Sequence, residues 1–291
     1  MTQTSDVLLT ACRALDINPA GAELIRAGEN TLFRLPGGIV ARVTRADQIQ
    51  TARKETRVSR WLQERGIPVV EILPDLAQPI EVGNRAVTFW RELPPHQEGS
   101  IQQVADILRQ IHTLQPPPDL QLPPLAPFVR LEQRIAEATV LDDADRKWLL
   151  RHLAELQQRY ANLPAGLPAA AVHGDAWGGN IVDTSDGPVV LDLERFAYGP
   201  PEWDLTSIAV DHVTFATMSA TEWTAFCQQY GHDVTEWPGY PVLRDARELR
   251  KVTFAAQMAN QFPWLKNQAL YRLACIKGEK GARPWRWSPI P

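Results

Sequence analysis

Cysteine is scarce: Cys12, Cys227 and Cys275 are odd in number, far apart and in no Cys-x-x-Cys spacing, which argues against a disulfide framework or a thiolate zinc site. Long hydrophobic runs are missing as well. Nowhere do 18 apolar residues follow one another, and the opening Met-Thr-Gln-Thr-Ser-Asp carries no cationic stretch ahead of an apolar one. The expectation is a cytoplasmic protein with no membrane partner. Positive charge is not in excess: the formal net charge is −4 and the pI about 5.9, so no basic field exists to release counterions from a nucleic acid. Nucleic acid is not an expected partner. Internal repeats and low-complexity tracts are absent. What remains is a globular composition, 44% hydrophobic and 22% charged over 291 residues, which is length for about two folding units.

Residues 1–93 show short alternating runs around one helix, whereas 94–291 show longer helical periodicity, so the pattern predicts a small mixed lobe and a larger, mostly helical one. The first carries 12 Lys+Arg against 11 Asp+Glu and the second 18 against 23, so the acidic excess lies in the larger part. Thr31–Leu35 and 38–44 read as strands joined by a tight turn at Pro36-Gly37. A helix over 47–64 places Glu55, Val58 and Leu62 on one face, and Gly66-Ile67-Pro68 ends it. Residues 86–90 read as a strand that stops before Pro94-Pro95. A helix is expected through Ile101, Val104, Leu108 and Ile111, then a proline-rich extended connector over 115–127, then a helix capped by Asp142. The stretch 277–287 reads as a loosely packed, solvated end. Trp285 and Trp287 are the exceptions among tryptophans otherwise expected in the core.

The chemically informative segment runs from Ala171 to Glu194, where two apolar strands flank an Asp186-Gly187 turn. A turn centred near Asp186 sets Asn180 opposite Asp192. An amide oxygen beside a carboxylate offers hard ligands suited to Mg²⁺, which keeps waters and completes its shell with substrate phosphates. Asp175 lies five residues upstream of Asn180, across a loop that Gly174, Gly178 and Gly179 allow to turn sharply. That leaves its carboxylate free to accept a proton. Alternation puts Asp192 and Glu194 on one face, where Glu194 reads as a ligand, a substrate contact or a solvated group.

His173-Gly174-Asp175-x-x-x-x-Asn180, then Val189-Val190-Leu191-Asp192-Leu193-Glu194, then Gly199-Pro200-Pro201-Glu202-Trp203-Asp204-Leu205, resembles the aminoglycoside phosphotransferase family. The resemblance extends over most of the chain. It implies an α+β, protein-kinase-like two-lobe fold, with 1–93 as the nucleotide-binding lobe and 94–291 as the catalytic and acceptor-binding lobe. It implies ATP and Mg²⁺ as cofactors and a nucleotide lying between the lobes. On this resemblance Asp175 is the catalytic base, and Asn180 and Asp192 hold the metal. Gly28 and Asn30 belong to the loop covering the nucleotide, Arg42 holds its phosphates where many relatives have lysine, and Glu55 braces Arg42. Arg91 and Leu93 meet the adenine edge through the backbone. His173 braces the loop, and Asp204 resembles the aspartate that supports it. Asp-Leu-Glu in place of Asp-Phe-Gly, and the lack of Gly-x-Gly-x-x-Gly, disfavour a protein substrate.

The activity so implied is transfer of the γ-phosphate to a hydroxyl of a small molecule. The acidic balance of 94–291 points to a neutral or cationic acceptor, such as an aminoglycoside-like antibiotic, a sugar, an amino sugar, an amino alcohol or homoserine. Two alternatives stand beside it. One is a pseudokinase that binds nucleotide while Arg42 disables transfer, and the other a hydrolase whose metal is bound by His173, Asp175 and Asp192. The oligomeric state is not fixed by these features.

Overall fold

β-Branched and aromatic residues around Pro36-Gly37 form the expected hairpin, and the remaining elements extend it on both sides. The computed structural model describes residues 4–28, 30–288 and 290. In chain order the elements are α1 (Thr4–Ala14), β1 (Glu23–Ala27), β2 (Thr31–Leu35), β3 (Ile39–Val43), α2 (Ile49–Glu64), β4 (Ile80–Val82), β5 (Arg85–Arg91), β6 (Gln97–Glu98) and α3 (Ile101–Thr113). They continue with α4 (Leu131–Glu137), α5 (Asp143–Ala161), β7 (Ala170–Val172), β8 (Ile181–Thr184), β9 (Gly187–Val190), β10 (Ala197–Gly199), α6 (Glu202–Val213), α7 (Ala220–Tyr230), α8 (Tyr240–Gln261) and α9 (Lys266–Ile276). Packing groups them into two units: residues up to 123 with 178–197, and 124–177 with those from 198 onward. Grouping by packing divides the chain elsewhere than at residue 93. β6 pairs with β8, and Gly99 donates to the carbonyls of Gly178 and Ile181, which ties 94–123 and the Asp186-Gly187 hairpin to the first unit.

The first unit holds an antiparallel sheet in the order β1-β2-β3-β5-β4. Ala41 and Val43 face a core shared with Val87 and Phe89, and α1 covers it with Val7, Leu8, Ala11 and Cys12. This second helix in the first 93 residues was not expected. On α2, Ala52, Glu55, Val58 and Leu62 are buried, as their spacing requires. Ser100 caps α3 in a reciprocal box with Gln103, satisfying two of the four orphan donors at the helix start.

The second unit is built around α8, which packs against α4, α5, α6 and α9. Asp142 caps α5, as expected, by accepting from the Asp145 N–H at 2.7 Å. The 277–287 segment departs from expectation. Trp285 and Trp287 are buried in a core with Leu249, Val252 and Leu273. The Trp285 N–H donates to Thr214 O at 2.7 Å, and Arg283 donates to Glu248 at 2.6 and 2.7 Å. Indole area and two charge-assisted bonds hold a segment that has no periodicity of its own. The exposed tryptophans are instead Trp177 and Trp264. Among the described residues, no helix is long and apolar enough to cross a membrane.

Candidate active site

Strand alternation in β3 turns Ala41 and Val43 into the core, so Arg42 projects from the opposite face. There it meets Glu55, which α2 presents fully buried. Arg42 Nη1 donates to both carboxylate oxygens of Glu55 at 2.9 Å. Arg42 Nη2 donates to Glu194 Oε2 at 3.2 Å, and Arg45 Nη2 lies 3.7 Å from Glu194 Oε1. With its amide oxygen facing Arg42, Asn30 accepts from Nε at 3.2 Å and from Nη2 at 2.6 Å. The carboxylate of Glu194 thus sits among the groups that would hold an anion.

Burial drives the Glu55 carboxyl up, and the nearby Glu194 and Asp192 add to this. Arg42 opposes both only in part, leaving the pKa at about 7. The Lys54 ammonium donates to the carbonyls of Glu194 at 2.7 Å and Phe196 at 2.9 Å, so α2 clasps the segment after Asp192. Burial pulls that ammonium's pKa down.

The hairpin register differs by one from expectation. Ser185 and Asp186 form the turn between Thr184 and Gly187, which pairs Ile181 with Val190. Asn180 therefore faces Leu191, whose N–H donates to Asn180 O at 2.7 Å, and Asp192 is one residue further on. Asp192 leaves the ladder at φ 51°, a left-handed conformation that starts the short turn Leu193–Arg195. Among the described residues, Glu55, Asp192 and Glu194 bring carboxylate oxygens within 4.8 Å of one another. Glu55 is committed to Arg42. The acceptors left in this neighbourhood are hard oxygens, the donor chemistry that suits magnesium.

The other expected nucleotide residues are also in the first unit. Gly28 donates to Asn30 O at 3.2 Å between β1 and β2; the intervening Glu29 lies outside the described residues. The Arg91 N–H donates to Glu71 O at 2.8 Å, and Leu93, half-buried, follows the end of β5.

Asp175 belongs to the second unit, where β7 leads into its loop. Asp204, fully buried in the first turn of α6, accepts from the N–H groups of His173 at 2.7 Å and Gly174 at 2.9 Å. Gly174 has φ +83°, where a side chain would be strained. His173 is buried, and its Nδ1 accepts from the Asp175 N–H at 3.3 Å, which assigns the ring proton to Nε2. The Trp203 indole donates to Gly174 O at 2.9 Å.

These bonds fix the backbone and leave the Asp175 side chain 42% exposed, within reach of α8. Arg247, 5% exposed, donates to Asp175 Oδ1 at 3.2 Å and stacks 4.0 Å above the Trp203 ring. Lys251 stands one helical turn further along. Lys54, Arg45 and Arg247 were not expected in these roles. Lys54 adjoins Glu55 in sequence, whereas nothing local marks Arg247, which is 72 positions from Asp175.

The model of the family described as "Phosphotransferase enzyme family" matches residues 25–249. No curated protein sequence matches. Among solved structures, a choline/ethanolamine kinase family protein from Mesorhizobium loti is 18% identical, covering 96% of each chain at a TM-score of 0.63. An amicoumacin kinase in complex with AMP-PNP, Ca²⁺ and Ami is 12% identical, with 92% of this chain and 93% of that one covered at a TM-score of 0.68. An aminoglycoside phosphotransferase from Streptomyces rimosus is 22% identical, with 84% and 98% covered at 0.57. These similarities show a kinase-like, mixed α+β fold.

Proposed function

Because the chain belongs to the phosphotransferase enzyme family, we propose that it is an ATP-dependent kinase transferring the γ-phosphate to a hydroxyl of a small molecule. The observation that carries this reading is the Arg42 cluster. A buried carboxylate braces the guanidinium through Nη1, and Nη2 is offered to an anionic group at 3.2 Å. Phosphate oxygens replacing Glu194 would find Arg42 and Arg45 already arranged, with the Asn30 amide oxygen helping to hold the Arg42 guanidinium, which spares the cost of ordering them. The braced Arg42 favours transfer over a pseudokinase. The hydrolase reading is disfavoured by His173, which is buried and accepts through Nδ1 from the Asp175 amide.

In this proposal residues 1–93 serve the nucleotide. Gly28 and Asn30 cover it, Arg42 grips its phosphates, Glu55 orients Arg42, and the backbone of Arg91 and Leu93 meets the adenine. Asn180 and Asp192 would hold Mg²⁺, with Glu194 near enough to join them, and the ion supplies charge that offsets what builds on the phosphate oxygens. Asp175 orients the acceptor hydroxyl and takes its proton as the oxygen attacks. Arg247 holds that carboxylate in one rotamer. Residues 94–291 build the acceptor site, and their acidic balance favours a neutral or cationic acceptor, an antibiotic amine or an amino alcohol among them.

The experiment is a screen of hydroxyl compounds for acceptor-dependent ADP release with Mg-ATP, read with phosphorus NMR of the product. A new phosphate monoester is the expected result. Stabilisation by Mg-ATP without turnover on any acceptor would favour the pseudokinase.

A further inference from the structure

A separate cavity of about 270 Å³ lies within the second unit, lined by Tyr160, Leu163, Leu167, Pro200, Glu202 and Trp237 among others. It also touches Ala169, the residue before β7, whereas Asp175 follows the other end of that strand. Its walls are leucine, proline and two aromatic rings. The exception is Glu202, a fully buried carboxylate in the first turn of α6.

One oxygen of Glu202, Oε1, accepts from the Leu167 N–H. The other, Oε2, is buried and accepts no hydrogen bond from any of the described residues. Gly166 makes this arrangement possible, because a Cβ there would stand 2.1 Å from Glu202 Oε1. The remaining polar groups do not complete the carboxylate: the Trp237 indole N–H is given to Ala165 O at 2.9 Å. A buried carboxylate oxygen without a donor is costly to leave so, and a ligand that supplies the donor gains what the protein alone forgoes.

We infer that this cavity is a binding site for a small organic ammonium ion with an apolar body. The chemistry of the walls selects that class. Anions are repelled by Glu202, and Mg²⁺ or Ca²⁺ would find one carboxylate where six or more oxygens are needed. A guanidinium seeks two carboxylate oxygens side by side, and Oε1 is already occupied. A primary ammonium needs one strong acceptor, and leucine, proline and the aromatic side chains of Tyr160 and Trp237 line the rest of the cavity for its apolar chain. The inference is independent of the kinase reading.

The test uses the full-length protein and n-butylammonium chloride, with n-butanol, sodium butyrate and potassium chloride as controls, followed by ¹⁵N NMR of the tryptophan indoles. Saturable displacement of the Trp237 resonance by butylammonium alone is expected. Glu202→Gln keeps the Leu167 bond but turns a donor toward the ammonium, and should weaken binding by about tenfold or more. Ala169→Phe, which adds bulk from an exposed position on the wall, should block binding while leaving Glu202 intact; it serves if Glu202→Gln folds poorly. Asp175→Asn should leave the affinity unchanged, which separates this cavity from the proposed acceptor site. The inference is overturned if butylammonium does not saturate, if butanol or butyrate binds equally well, or if Ala169→Phe binds as the wild type does.

Discussion

Replacing Asp204 by alanine leaves two buried N–H groups, those of His173 and Gly174, without the carboxylate that accepts them at 2.7 and 2.9 Å. Asp204 is fully buried, so water does not reach in to replace it. Each stranded donor costs about 1–3 kcal/mol, which puts the loss near 4 kcal/mol for the pair. For a chain of this length that is a fall in melting temperature of roughly 8 °C. Asp204→Asn keeps one acceptor but sets an NH₂ group against the other N–H, and about half the loss is expected. Thermal denaturation followed by circular dichroism measures both. An alanine variant melting within about 2 °C of the wild type would refute the reasoning, since the loop would then draw its order from elsewhere.

The Glu55 carboxyl, raised by burial from 4.5 to about 7, gives a pH signature. Between those values the folded chain keeps a proton that the unfolded chain has released, so this group makes stability fall as pH rises through the window, by up to about 3 kcal/mol. Denaturant titrations at pH 4.5 and pH 7.5 should show Glu55→Gln losing that component of the slope. Arg42→Ala leaves Glu55 buried without its ion partner and should cost about 3–5 kcal/mol of stability, with Arg42→Lys costing less, both measured by chemical denaturation. Ser100→Ala opens the capping box of α3 and should cost about 1 kcal/mol in the same assay.

Features governed by local periodicity and turn chemistry were legible in the sequence. Pro36-Gly37 announced the β2–β3 hairpin, Asp142 the start of α5, and Glu55, Val58 and Leu62 the buried face of α2. Features settled by distant partners were not. α1 offers Val7 and Leu8 beside the exposed Leu9, so its apolar stripe becomes clear only against the sheet that buries it. Trp285 and Trp287 sit among glycine, proline and arginine, and their burial depends on Thr214, Glu248 and Leu273.

At the candidate site, the residue types of the Asp175, Asn180 and Asp192 pattern were readable, but the register was one residue out. Centring the turn on Asp186 differs by half a residue from the Ser185-Asp186 turn observed, and strand pairing doubles that half. Arg247 and Glu202 gave no local sign, because the charge on each acquires meaning only from groups brought to it by the fold.

Whether Asp175 takes the proton of an acceptor hydroxyl, as proposed, is read from the single-turnover rate of Asp175→Asn with Mg-ATP and the best acceptor found. The substitution keeps size and hydrogen-bonding shape and removes the proton acceptor. A fall of about 10²–10⁴-fold, with ATP affinity unchanged, is the predicted result. A rate within a few-fold of the wild type would contradict the assignment.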